Sequence, residues 1–304
     1  LVPRVLPDGS RNAMHLMRLK DKLGNKSNAS SEIEYDDAVG WLVGDQGRGV
    51  RTIVEMVNMT RLDCILGTSM GMRSAVVQAM HHARHRSAFG RPLIDQPLMR
   101  NVLVDLKVTS DAATMLAMRL AGATDRAARG DEQEVAFRRL ALAVSKYDVC
   151  KRGPAVAGEA MECLGGNGYV EESGLPRIYR ELPLLSIWEG SGNVAALDAL
   201  RAMAREPESV EAFFAEVTLG CGADQRLDEA VRQLKKELVD TDDLELRARR
   251  VVELAALVLQ GSLVVRHAPS AVADAFCATR LGRDWGNAFG TLPAGLDLAG
   301  VLDW

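Results

Sequence analysis

Residues 98–120, LMRNVLVDLKVTSDAATMLAMRL, decide the fold. Leu98, Val102, Leu106, Ala113, Leu116 and Leu120 recur at near-helical spacing, which lines one face of a helix with apolar side chains. The same period runs before it, through Leu62, Leu66, Met70, Val77 and Met80. It also runs after it, where Phe137, Leu140, Ala141 and Val144 open a third stripe. Each segment holds roughly 25–30 residues, or ~40 Å at the α-helical rise. Gly90, Pro92 and Pro97 separate the first pair, and Gly130 with Asp131 the second. Long amphipathic segments joined by short connections predict a mainly α, up-down helical bundle.

Outward from these helices the punctuation changes. Gly165, Gly166 and Gly168 end the third helix, and Pro176 and Pro183 keep the next stretch out of long helix. A shorter helix is expected from Ser191 to about Ala204, and four more amphipathic ones near 208–217, 227–239, 243–266 and 270–281. The final GTLPAGLDLAG reads as irregular. Before the bundle, residues 1–44 differ: SSEIEYDDAV alternates Ile33 and Tyr35 with acidic neighbours, the pattern of a half-exposed strand. Two or three strands there cannot bury a face alone.

Composition narrows the class. With 47% hydrophobic and 26% charged residues the chain folds, and only 5% aromatics mean an aliphatic core. A net charge of −4 calls for neither nucleic acid nor an anionic membrane. Cys64, Cys150, Cys163, Cys221 and Cys277 are odd in number with no C-x-x-C pair, which suits a reducing cytoplasm. The longest apolar run, 251–265, is broken by Glu253, Gln260 and Gly261, so no membrane span is expected. His81 and His85 stand at i, i+4 but lack a third ligand nearby, so no metal is assigned. Met56, Met59, Met70 and Met72 read as core filler.

Three stretches carry chemistry. SIWEGSGN, Ser186 to Asn193, puts the Glu189 carboxylate between Trp188 and a Gly-Ser-Gly turn at a helix start. Ser191 or Asn193 suits the N-cap, and the free N–H groups could meet an anion. Partial desolvation beside Trp188 would lift Glu189 toward a useful general base; from these residues alone the plainer reading is an ordinary acidic residue stabilised at a helix N-terminus. LGGNGY, Leu164 to Tyr169, allows close backbone approach, though such a turn also simply stops a helix. RSAFGRP, Arg86 to Pro92, offers an arginine for phosphate oxygens and Phe89 for a flat ring.

In this order and spacing the stretches resemble the acyl-CoA dehydrogenase family. The markers are KLGNKSNASSEIEYDDAVGWLVGDQGRGV, MTRLDCILG, RSAFGRPLIDQ, ECLGGNGYVEESGLPRIYRE and IWEGSGN. The opening VPRVLPDG, Trp188 and the long C-terminal segment point to its AidB-like, alkylation-response branch. The resemblance implies a remnant of the middle β-domain at 1–44, the C-terminal helical bundle at 45–205 and an AidB-like extension at 206–304. It implies that the N-terminal helical domain and most of the β-domain lie outside this chain, and that the piece alone is inactive.

It further implies that Glu189 removes the proton beside a thioester carbonyl, with FAD taking the hydride and the Glu189 N–H bonding the thioester oxygen. Trp188, Gly190, Ser191, Gly192 and Asn193 would contact the FAD of the same subunit. Arg86, Phe89, Glu162, Gly165 and Gly166 would reach a neighbour's FAD, implying a homodimer or homotetramer. Arg61 would stand near the acyl-CoA end of the pocket. Glu162 replaces the family's Gln, and Trp188 its Tyr, which narrows the acyl cavity toward short or branched chains. An electron-transfer flavoprotein is the implied electron acceptor. The alternative is a DNA-associated stress-response flavoprotein with vestigial activity. Residues 201–304 hold 12 Lys plus Arg against 17 Asp plus Glu, so only Arg232, Lys235, Lys236, Arg247, Arg249 and Arg250 offer a basic cluster.

Overall fold

The computed structural model describes every residue except Thr241. It divides into two compact units, Leu1–Thr60 and Arg61–Trp304. In the first, β1 (Met14–Leu19) and β2 (Ser31–Tyr35) pair antiparallel, with a register irregularity between Leu16 and Arg18. Leu16, Met17, Leu19 and Tyr35 stay exposed, so this hairpin buries little of its own apolar surface.

Helix α1 (Gly49–His85) runs through the division, and the second unit continues with α2 (Pro97–Ala128) and α3 (Glu132–Glu162). Local chemistry sets their ends. Pro97 opens α2 at a position whose N–H is spare. The Asp131 carboxylate caps α3 by accepting from the Glu134 N–H at 3.1 Å, just after Gly130 turns the chain at φ 93°. Ile65 and Met72 from α1, Leu103, Leu106, Leu116 and Leu120 from α2, and Phe137 and Leu140 from α3 are shut off from solvent. That is the aliphatic bundle core the periodicity predicts. Three stripe positions fall elsewhere, Leu98, Val77 and Met70, and of the four methionines read as core filler Met56, Met59 and Met70 are exposed while Met72 is buried.

The remaining helices are α4 (Gly166–Tyr169), α5 (Leu175–Leu185), α6 (Gly192–Arg205), α7 (Pro207–Thr218), α8 (Gln225–Val239), α9 (Ala248–His267), α10 (Ser270–Phe276) and α11 (Leu298–Leu302). Here the sequence reading needs adjustment. Pro176 sits in the first turn of α5 and Pro183 in its last, so eleven residues still form a helix. Helix α9 starts five residues later than the apolar pattern suggests, and α10 gives way to a π-helical turn at Cys277–Leu281.

Helix α7 packs on α3, and α9 packs on both α2 and α3. An ionic network fastens them: Arg119 (α2) bonds Glu134 (α3) at 2.9 Å and Glu216 (α7) at 2.7 Å, and Arg266 (α9) reaches Glu216 at 2.8 Å. Asp105, fully buried in α2, is held by Arg280, the Trp285 indole N–H at 2.8 Å and the Gly290 N–H at 3.0 Å. The C-terminal segment is thereby pinned to the bundle. No helix among the described residues is long and apolar enough to cross a membrane.

Candidate functional site

The turn between α5 and α6 holds Glu189, and three cationic bonds hold the turn. Lys146, in the middle of α3 and 1% exposed, donates from Nζ to the Trp188 carbonyl at 2.9 Å and also to the Gly190 carbonyl. Arg61 Nε donates to the carbonyl between them, that of Glu189, at 3.2 Å. Arg61 is itself fixed by Asp198 of α6 at 2.5 Å, and Asp198 is shared with Arg139 at 3.2 Å. Burial pushes the Asp198 carboxyl up, but Arg61 and Arg139 outweigh it and hold it below the usual carboxylate range. Burial pulls the Lys146 ammonium down from its ordinary value.

The backbone consequence follows from trans peptides, which point N–H and C=O in opposite directions. With the carbonyls of 188, 189 and 190 drawn to Lys146 and Arg61, the N–H groups of Glu189, Gly190 and Ser191 face away from those cations. Glu189 reaches this arrangement at φ 57° and Gly190 at φ 102°, the left-handed half of backbone space. A β-carbon on Gly190 would also meet Val194 at 3.2 Å and Arg61 at 3.4 Å, so both conformation and space demand glycine. The Glu189 side chain is half-buried, and its carboxylate makes no hydrogen bond or ion pair among the described residues. A carboxylate left free on a rigid, non-helical turn can take up a proton from a ligand placed against it.

Neighbouring groups differ from the sequence reading in detail. Ser191 occupies the N-cap of α6, yet its side chain makes no capping bond. Asn193 does not cap either, because its Oδ1 accepts from Arg249 Nε at 2.8 Å. Gly192 lies against Lys151, where a β-carbon would come within 2.8 Å of Cε. Trp188 is half-buried. Arg61 is 7% exposed with its guanidinium spent on Glu189 and Asp198, so its place here is under the turn.

A second cluster forms at the far end of the bundle. Arg86, Glu162, Gly165 and Gly166 line one cleft of about 630 Å³ with His82 and Asn167. Gly165 turns at φ 58° after α3, and β-carbons on Gly165 or Gly166 would meet nothing, which leaves the cleft open to an approaching ligand. Phe89 and Gly90, both at positive φ, turn a two-residue hairpin between β3 (Ser87–Ala88) and β4 (Arg91–Pro92). The hairpin leaves Phe89 97% exposed. The sequence pattern does not predict these strands.

Arg61 and Arg86 lie about 25 residues apart along and just past α1, or ~37 Å at the helical rise. One chain therefore does not bring the Glu189 turn and the glycine cleft together. Against a flavin dinucleotide, the residues fit as two half-sites: an open helix N-terminus with an unused Ser191 hydroxyl beside Trp188, and an open cleft with Arg86 and an uncovered Phe89 ring. Glu162 on the cleft wall opposes a phosphate, and Arg86 in the same cleft offsets it. Among the described residues, no group of three His, Cys, Asp or Glu is placed to hold a metal ion.

Sequence reasoning missed Lys146, Asp198 and Arg139. The one available signal was a lysine inside the apolar run LALAVSKYDVC. The basic cluster proposed for DNA is largely engaged: Arg247 pairs with Glu237 at 2.5 Å, Arg249 holds Asn193, and Arg232 pairs with Glu229 at 2.5 Å.

Comparison with known proteins follows the same outline. Residues 47–204 match the family model for the acyl-CoA dehydrogenase C-terminal domain. The chain is 46% identical over 283 residues to AidB of Escherichia coli (strain K12), covering 92% of this chain and 51% of that protein. Its fold matches Caenorhabditis elegans ACDH-11, solved in complex with C11-CoA, with a TM-score of 0.83 at 27% identity over 92% of this chain and 52% of that one. At 17% identity, a Bacillus anthracis acyl-CoA dehydrogenase complexed with FAD shares the fold, with a TM-score of 0.67 over 89% of this chain and 55% of that one. The chain thus spans about half the length of these relatives.

Proposed function

The chain belongs to the acyl-CoA dehydrogenase family, and from that premise we propose that it carries the base-bearing C-terminal part of an FAD-dependent acyl-CoA dehydrogenase, with Glu189 as the base. One observation carries the reading: Lys146 and Arg61 hold three successive carbonyls of the Glu189 turn, while the Glu189 carboxylate stays unpaired.

The chain's residues would act as follows. The outward N–H of Glu189 donates to the thioester oxygen and stabilises the enolate that develops there. The Glu189 carboxylate accepts the proton from the neighbouring carbon. Lys146 and Arg61 fix both groups in one geometry, so little reorganisation is needed as charge develops. Ser191, Gly192 and Asn193, with Trp188 and Gly190, would hold FAD from one subunit, and Arg86, Phe89, Glu162, Gly165 and Gly166 from a second. The ~37 Å between the half-sites supports such sharing, and with it a homodimer or homotetramer. When bound, the flavin supplies a two-electron acceptor, discharged in turn by a partner such as an electron-transfer flavoprotein. Trp188 narrows the acyl end toward short or branched chains; ACDH-11, with its C11-CoA, sets the long-chain comparison.

The test is Glu189→Gln in a protein extended to the length of the relatives and loaded with FAD. Butyryl-CoA, isobutyryl-CoA and C11-CoA should each be compared for flavin bleaching. Loss of bleaching with FAD retained is expected, and bleaching at the unsubstituted rate would refute the base. Duplex DNA binding draws less support, because most of its candidate arginines are already paired.

A further inference from the structure

A cleft of about 320 Å³ opens between α3, α8, α9 and the segment after α10. Four arginines line it, Arg152, Arg250, Arg280 and Arg283, against one carboxylate, Glu253. The rest of the wall is mostly apolar, Ala230, Leu254, Leu257, Leu281 and the ring of Trp285, with Gln233 and Thr279 as its neutral polar members. Like charges gathered at this density repel one another unless something negative stands between them.

The carboxylates of the protein answer only part of this charge. Glu253 is taken by Arg152 at 2.7 Å. Asp105, Asp148 and Glu237 support Arg280, Arg152 and Arg250, yet none of the three lines the cleft. Arg250 is 61% exposed and its pairing to Glu237 is long, 3.5 Å. Arg283 has no carboxylate partner among the described residues, only the Gln233 side-chain oxygen at 3.4 Å. Arg280 is 7% exposed; it bonds Asp105 and Thr109 through Nη2, lies over the Trp285 ring at 4.0 Å, and has no partner for Nη1. A buried guanidinium with an unused donor is costly unless something accepts from it or from its neighbours.

We infer that this cleft binds a small organic phosphate monoester. A phosphate monoester carries nearly two negative charges and three acceptor oxygens, whereas a carboxylate brings one charge and two. Only the former meets several guanidinium forks at once, which is the geometry arginine serves best. The Trp285 and leucine wall receives the organic body, and a bare inorganic ion would leave that wall uncovered. The site is separate from the Glu189 turn and from the glycine cleft, since it shares no lining residue with either.

The experiment titrates the chain with phenyl phosphate, following tryptophan fluorescence and binding heat, with inorganic phosphate, phenol and a 20-base-pair DNA duplex as parallel probes. Saturable binding of phenyl phosphate is expected, tighter than inorganic phosphate and weakened by salt. The variant R250Q/R283Q should weaken it at least about tenfold, because two charge-assisted contacts are lost. Both side chains stand at the cleft mouth, and equal thermal unfolding of variant and parent will show that the fold is kept. The inference is overturned by absence of saturable binding, by equal affinity for phenol or inorganic phosphate, by an unchanged affinity in R250Q/R283Q, or by binding of the duplex alone.

Discussion

Replacing Lys146 with Met tests the clamp under the Glu189 turn. The substitution keeps the length and most of the volume of the side chain but removes both Nζ bonds, leaving the Trp188 and Gly190 carbonyls without their donor. Charge-assisted bonds of this kind contribute ~1.5–3 kcal/mol each. Two opposing effects reduce the sum. Burial already disfavours the Lys146 ammonium, so its removal returns some desolvation cost. The freed turn can also leave the φ of 57° at Glu189, recovering ~1 kcal/mol of left-handed backbone strain. The net expectation is a loss of about 2 kcal/mol, or ~4–8 °C in Tm for a unit of this size.

A double-mutant cycle separates the clamp from ordinary core damage. Glu189→Gly removes the positive-φ penalty and should stabilise the parent by about 0.5–1 kcal/mol. In the Lys146→Met background the turn has already relaxed, so the same change should gain little. Urea unfolding of the parent, both single variants and the double variant gives the coupling directly. Strict additivity, or a Lys146→Met loss below about 0.5 kcal/mol, would refute the claim that Lys146 holds the turn in its strained shape.

Three further outcomes follow from the same packing. Glu216→Ala should cost about 1.5–3 kcal/mol in urea unfolding, because Arg266 loses its carboxylate and Arg119 is left with Glu134 in a largely buried network. Burial raises the Glu216 carboxyl, but Arg119 and Arg266 outweigh it and hold it low, so its stabilisation is full above the unfolded value of ~4.3 and is lost as pH falls through the depressed folded value; a parent that lost no more stability than Glu216→Ala on acidification would contradict this. Gly153→Ala should destabilise by about 1–2 kcal/mol despite better helix propensity, since a β-carbon there meets Thr68 at 2.6 Å and Leu182 at 3.4 Å. Unchanged or raised Tm would mean that α1 and α5 can yield at that contact.

What the sequence disclosed divides by range. Helix existence was legible because burial on one face imposes a period, and Leu106, Leu116, Phe137 and Val144 obey it. The Glu189 turn was legible because glycine marks positive φ, although the sequence alone does not say that Glu189 itself shares it. Where periodicity averages over a helix buried on several sides it misleads: Met70 and Val77 fit the stripe of α1 yet face solvent. The two-residue hairpin at Phe89 escaped because its strands are too short to alternate.

The deeper gap concerns the cations. Lys146 lies 42 residues before Trp188 and 44 before Gly190, and Arg61 lies 128 residues before Glu189. No local rule connects such positions. Yet a lysine set among Leu140, Leu142, Val144 and Val149, all buried, must find acceptors or lose its charge. Within a bundle whose helices satisfy their own carbonyls, spare acceptors exist only where a helix stops. A charged residue in an apolar helical run therefore points to a nearby helix end or turn, here the one that carries Glu189. The same reasoning applies to Asp105 in LVDLKV, which finds its donors in the irregular segment around Trp285 and Gly290.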